Sequence, residues 1–341
     1  MSETIKVEEL NLTRKDFVPG NEVRWCPGCG DYSVLANMQK TLPGLGIRKE
    51  NYTFISGIGC SSRFPYYMDT FGFHSIHGRA PAIASGVKLA NPDLTVWVIT
   101  GDGDGFSIGG NHMIHVLRRN IDLNIMLFNN RIYGLTKGQY SPTSLLGKKT
   151  KSSPFGSIDR PFNPSAVALG ANATFIARAI DVDAQGLQES ITRAQAHKGA
   201  SFIEVYQNCI IFNDGEFGDV EGKDTRPDNA LFVVHGEPMI FGKDRDKGII
   251  MENHHPKVVT LGDKWSEKDL LVHDETNAII TNLLLEMTFD ASTPTPFGVL
   301  RAVEEPTYDE MLVSQIAEVT RIKGEGTLES LYASGDVWEV K

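Results

Sequence analysis

The chain has 341 residues, 41% of them hydrophobic and 22% charged, with a formal net charge of −10 at pH 7. That length can bury a full core, as one large domain with an extension or as two domains. The acidic balance counts against a nucleic-acid or anionic-membrane binder, and no run approaches the ~20 apolar residues of a membrane span.

In chain order, residues 1–20 read as a polar N-terminal arm without the apolar core of a signal peptide, so the cytoplasm is the expected location. Trp25-Cys-Pro-Gly-Cys-Gly30 follows, with Asp31 as the expected N-cap of a helix carrying Val34, Leu35 and Met38. Two thiols thus stand at a helix N-terminus, where the dipole favours thiolate or an anionic cluster. The same spacing resembles a thioredoxin-type redox pair, which would leave Cys60 and Cys209 idle. Tyr52–Ser56 is a strand running into the small-residue loop Gly57-Ile-Gly-Cys-Ser-Ser-Arg63. His77-Gly-Arg-Ala80 leads into Pro81, a good first helical residue, and that helix stops at Asn91-Pro92.

The stretch from Leu94 to Gly134 organises the rest. Leu94–Thr100 and Ile121–Phe128 are apolar runs of the kind buried on both faces of a parallel sheet. Between them lie the turn Gly101-Asp-Gly-Asp-Gly105 and a helix from Gly110 to Arg119; after them comes Asn129-Asn130. Parallel pairing brings Asp102 and Asn130 out side by side at the strand ends, where open α/β sheets bind ligands. A carboxylate, an amide oxygen and a nearby carbonyl form the sparse oxygen set that suits Mg²⁺ carrying a diphosphate. The competing reading makes Asp-Gly and Asn-Asn ordinary turn residues.

Further on, helices over 164–171 and from Asp183 towards Gly199 alternate with strands over Thr174–Ala179 and Ser201–Tyr206, and Cys209 stands just beyond the last. The alternation predicts an α/β fold, a doubly wound and mostly parallel sheet. Composition shifts at 213, so 21–212 is the expected cofactor-binding domain and 213–341 a C-terminal extension that serves as interface or cluster cover. Thr307-x-x-Glu310 is a capping box opening a helix through about Arg321. The four cysteines, Cys26, Cys29, Cys60 and Cys209, fit either Zn²⁺ or an iron–sulfur cluster, and spacing does not separate the two.

Gly101-Asp-Gly103 followed by Asn129-Asn130 resembles the thiamine diphosphate motif of thiamine-dependent enzymes. The resemblance implies Mg²⁺ ligation by Asp102, the Asn130 side chain and the Ile132 carbonyl. It implies cofactor contacts from Gly59, Ser61, Ser62, His77, Gly78, Gly101, Gly103, Asp104, Gly134 and Leu135. Over residues 20–215, CPGCG, GIGCSSR, HGRA, YGLTKGQ and QNC resemble the β subunit of the 2-oxoacid:ferredoxin oxidoreductases. On that likeness Cys26, Cys29, Cys60 and Cys209 hold one [4Fe–4S] cluster, and the overall reaction is CoA-dependent oxidative decarboxylation, or its reverse, with ferredoxin taking the electrons. GCSSR and LTKGQ look more like the 2-oxoglutarate members than the pyruvate or broad 2-oxoacid ones. Arg63 and Lys137 become candidates for the distal carboxylate, and His77 a candidate catalytic residue. Thiamine activation needs a carboxylic acid from a second domain, and this chain shows one such α/β unit. An obligate α subunit, which in the family also contacts CoA, is therefore expected. Two readings compete: a non-redox thiamine decarboxylase or synthase subunit with structural zinc, and a non-catalytic binding subunit.

Overall fold

The computed structural model describes residues 11–338 and 340; the first half of the expected N-terminal arm lies outside them. Among the described residues, eleven strands form two sheets: β1 (Tyr52–Ser56), β2 (Phe71–His74), β3 (Thr95–Gly101), β4 (Asn124–Asn129), β5 (Phe175–Ile180), β6 (Ser201–Tyr206), β7 (Ala230–Phe232), β8 (Ile240–Phe241), β9 (Lys247–Glu252), β10 (His255–Thr260) and β11 (Thr295–Ala302). The large sheet runs β2-β1-β3-β4-β6-β5-β11-β7, and the small one β10-β9-β8. Every pairing in the large sheet is parallel except β11 with β5.

The helices that cover this sheet follow from the pleat. Val96 and Val98 of β3 point to one face, where they meet α2 (Ala80–Ala90) and α4 (Gly110–Arg118) through Ala84, Met113 and Leu117. Trp97 and Ile99 point to the other, where α1 (Asp31–Thr41) and α6 (Ala184–Ala196) bring Val34, Met38, Leu187 and Ile191. Successive side chains alternate faces, so both faces are apolar and both must be covered. The expected doubly wound α/β architecture is the observed one.

Two expectations are corrected. Residue 212 is not a boundary of the sheet, because β7 and β11, both from beyond it, complete the large sheet's far edge. Asp31 is not an N-cap: Gly30 occupies that position and Asp31 opens the first turn, buried. The Gly30 N–H bonds the Asn208 carbonyl (3.1 Å), which sets where the helix begins.

Strand order reverses between β1, whose next strand lies on one side, and β3, which lies on the other. Ligand crevices open at the carboxyl ends of strands at such a switch point. Gly101 of β3 lies opposite Phe128 of β4. Asp102 and Asn130 therefore leave the sheet at the same end, beside the loop that follows β1.

Candidate active site

Two adjacent cavities lie at that end. The first, about 400 Å³, is lined by the loops after β1, β3 and β4, with Ser61, Asp102, Asn130 and Ile132 among its walls. The second, about 240 Å³, is lined by all four cysteines together with Asp31, Arg63 and Lys137. Cys60, Asn130, Gly134 and Leu135 line both, so they form the wall between them.

Asp102 is buried and takes hydrogen bonds on Oδ2 from Ser141 Oγ and Thr143 Oγ1, each 2.5 Å. Burial pushes its carboxyl up to about 6 although the two hydroxyls oppose the shift. Cation binding would offset that burial. Asn130 donates through Nδ2 to Gln207 Oε1 (2.9 Å) and keeps its oxygen on the side of the Ile132 N–H (3.2 Å). Asp102, Asn130 and Ile132 thus line one cavity, and the all-oxygen set they could offer, carboxylate, amide oxygen and carbonyl, is of the kind that suits Mg²⁺.

Asp104, two residues on, is buried and anchors the switch point. Its Oδ1 accepts from Ile58 N (3.1 Å), Gly78 N (2.9 Å) and His77 Nδ1 (2.9 Å), and its Oδ2 accepts from Thr100 Oγ1 (2.7 Å). One carboxylate thereby ties the ends of β1 and β3 to the His77 turn. It also fixes Nδ1 as the protonated ring nitrogen of His77, leaving Nε2 as the acceptor. Gly78 has φ +66°, and a Cβ there would come to 2.5 Å from the Gly109 Cα, so no other residue fits this turn.

In the second cavity, Trp25 Nε1 donates to the Cys60 carbonyl (2.7 Å) and holds the Cys-Pro-Gly-Cys loop against the loop after β1. A Cβ on Gly134 would stand 3.4 Å from Cys209 Sγ and 3.7 Å from Cys60 Sγ, so these sulfurs flank one point although 149 residues separate them in sequence, as 209 minus 60 gives. Burial pushes the Cys60 thiol up to about 12, with Asp31 and Cys209 adding and Arg63 opposing. Burial and then Asp31 raise Cys29 further. Among the described residues no three His, Cys, Asp or Glu side chains converge as a single-ion site. The four thiols line one cavity, and four soft donors fit either Zn²⁺ or a sulfur-bridged cluster.

Residues 57–205 match the family model described as the thiamine pyrophosphate enzyme, C-terminal TPP binding domain. The 2-oxoglutarate oxidoreductase subunit KorB of Mycobacterium tuberculosis is 51% identical over 332 residues, 96% of this chain and 88% of that protein. This chain belongs to the β-subunit family of the 2-oxoacid:ferredoxin oxidoreductases. The 2-oxoglutarate synthase subunit KorB of Archaeoglobus fulgidus is 42% identical over 60% of the chain and 75% of its own length. The solved 2-oxoglutarate:ferredoxin oxidoreductase from Magnetococcus marinus, with 2-oxoglutarate, coenzyme A and succinyl-CoA bound, superposes with a TM-score of 0.75 at 32% identity, covering 95% of each chain.

Within this β subunit the thiamine-domain match excludes Cys26, Cys29 and Cys209, which sit on segments flanking it. Of the residues expected to touch the cofactor, all line the first cavity except Ser62 and Gly78. Ser62 is buried, its carbonyl taking the Ser56 hydroxyl (2.7 Å), and Gly78 gives its N–H to Asp104. Asp104 lines the cavity, and both its oxygens accept from protein donors. Arg63 and Lys137 line the cysteine cavity rather than the first, and Arg63 Nη1 donates to the Arg24 carbonyl (2.8 Å). Lys137 is exposed with φ +76°, an uncommon conformation for a side-chain-bearing residue. Sequence reasoning gives no role to Ser141 or Thr143, nor to Tyr133, whose hydroxyl donates to the Gly103 carbonyl (3.1 Å), or Gln207; the last two it holds only as letters of the YGLTKGQ and QNC motifs. The Ser-Pro-Thr-Ser run at 141–144 was the available signal for the first two.

Proposed function

We propose that this chain is the thiamine-binding subunit of a 2-oxoglutarate:ferredoxin oxidoreductase. It would hold Mg²⁺–thiamine diphosphate through Asp102, Asn130 and Ile132, and one [4Fe–4S] cluster through Cys26, Cys29, Cys60 and Cys209. The observation that carries the reading is the shared wall of Cys60, Asn130, Gly134 and Leu135 between an oxygen-lined and a thiol-lined cavity. When bound, thiamine supplies the electron sink for cleaving a 2-oxoacid, and a cluster accepts electrons one at a time. The protein's own part is placement. Asp104 orients His77 so that Nε2 serves as an acceptor at the cavity, and Lys137 offers the cation for a second substrate carboxylate, which the names of the relatives make that of 2-oxoglutarate. CoA is the acyl acceptor, ferredoxin the electron acceptor, and the cytoplasm the compartment.

An α subunit completes the site. Three exposed isoleucines lie along the His77 turn and the start of α2: Ile76 directly before His77, Ile83 in the first turn of α2, and Ile108, packed through its backbone against the His77–Arg79 turn. The edge strand β2 exposes Phe71 and Phe73 beside them, and an open edge of this kind is normally covered or charged. The helix Tyr308–Lys323 exposes Met311, Ile316 and Val319 as well. The test is anaerobic purification with and without the α subunit. The expected protein is brown, holds about four irons per β chain as one cubane cluster requires, and oxidises 2-oxoglutarate only when α, CoA and ferredoxin are present. A colourless preparation with one zinc per chain overturns the reading.

A further inference from the structure

Gln207 belongs to neither cavity. It is buried in the wall behind both, just past the end of β6. Its Oε1 accepts from Asn130 Nδ2 (2.9 Å), and its Nε2 donates to Cys29 Sγ (3.2 Å) and to the Asn208 carbonyl (2.6 Å). Its backbone N–H is held by the Asn129 carbonyl (3.0 Å), which fixes the main chain from which the buried side chain reaches these partners.

These contacts leave one consistent orientation for two amides. If Asn130 presents its oxygen to a metal, its nitrogen must face Gln207. Gln207 must then present oxygen to Asn130, which leaves only nitrogen for Cys29. We propose that Gln207 is the positioning residue that keys the two cofactor sites to each other. On one side it fixes the metal-binding orientation of Asn130; on the other it supplies an N–H to a cluster thiolate. The inference rests on the cofactor assignment above. A hydrogen bond to sulfur stabilises negative charge on the ligand, so it favours the reduced cluster and raises its potential.

The test uses the αβ complex, two variants and two readouts: the cluster's midpoint potential by EPR-monitored titration, and Mg²⁺-dependent thiamine diphosphate affinity by calorimetry. Gln207→Met removes donor and acceptor without adding charge. It is expected to lower the cluster's reduction constant about tenfold, ~59 mV for a one-electron couple, and to weaken thiamine diphosphate binding about tenfold. Gln207→Glu keeps the acceptor for Asn130 and deletes the donor to sulfur. It is expected to lower the potential at least as far while affinity stays within about threefold of wild type. A residue that only fills space would not split the two readouts in this way. A wild-type potential in Gln207→Met, or in Gln207→Glu should the first variant fail to fold, overturns the inference, as does equal loss of affinity in both variants. A wild-type complex that shows iron and thiamine diphosphate leaves the cofactor assignment standing whatever the variants do; one that holds no iron overturns both.

Discussion

Replacing Asp104 by alanine tests whether one buried carboxylate builds the switch-point crevice. Its four donors differ in what they can do once it is gone. Ile58 is partly exposed and His77 half-exposed, so both can turn to water. Thr100 is fully buried but its hydroxyl keeps a longer bond to the Gly101 carbonyl (3.4 Å), whereas the buried Gly78 N–H is orphaned. One buried unsatisfied N–H costs about 1–3 kcal/mol, the hydroxyl left with its longer bond adds to that, and water entering the vacated space offsets part of it, so the expectation is ~2–3 kcal/mol. Asp104→Asn keeps an oxygen for Ile58, Gly78 and His77 and turns an NH₂ towards Thr100 Oγ1, which can accept it. That change should cost about 1 kcal/mol, one ordinary hydrogen bond. Urea unfolding of the αβ complex measures both, and hydrogen exchange at the Ile58 and Gly78 amides localises the effect. Equal midpoints for the two variants, with both amides still protected in Asp104→Ala, would refute the argument that this carboxylate holds the loops together.

Thr143→Val removes one of the two hydroxyls on Asp102 while leaving the carboxylate in place. Mg²⁺-dependent thiamine diphosphate affinity by calorimetry should fall ~10–100-fold, the usual effect of losing an outer partner of a metal ligand, and Asp102→Ala should fall further. Lys137→Ala should lower kcat/KM for 2-oxoglutarate ~10–100-fold, the scale of a lost charged hydrogen bond, and leave any pyruvate turnover nearly intact; equal losses would assign Lys137 to the part both substrates share. The Glu221 carboxyl is pushed up to about 7 by burial, with Asp181 and Asp214 adding to the shift. Its contribution to stability is therefore full below its ordinary 4.5 and lost as pH rises through about 7. Glu221→Gln should raise Tm at pH 8 by ~1–2 °C, on the order of 1 kcal/mol after solvent screening, and leave it unchanged at pH 4.5. A shift of the same size at both pH values would point to something other than ionisation.

The parts of this molecule legible in the sequence are those whose signal is local. β1, β3, β4 and β6 are short apolar runs because each is buried on both faces, and Asp102 and Asn130 follow them directly. β2 was missed because Phe71-Gly-Phe-His74 is an exposed edge strand with no alternation to read. β11 and β7 were missed because they find partners 120 or so residues away, or each other, across what composition presented as a boundary. The hairpin of β9 and β10 was signalled only by Asn253 and His254, both at positive φ in the turn between them. The site divides in the same way. Cys209 was found because a thiol announces its chemistry wherever it stands. Gln207 was passed over because an amide at a strand end announces nothing; its meaning comes from partners 77 and 178 residues away in the chain. Sequence therefore yields the groups that would touch a cofactor more readily than the neutral groups beside them, and Gln207, in contact with Asn130 on one side and Cys29 on the other, shows why: its place is set by the fold and not by its neighbours in the chain.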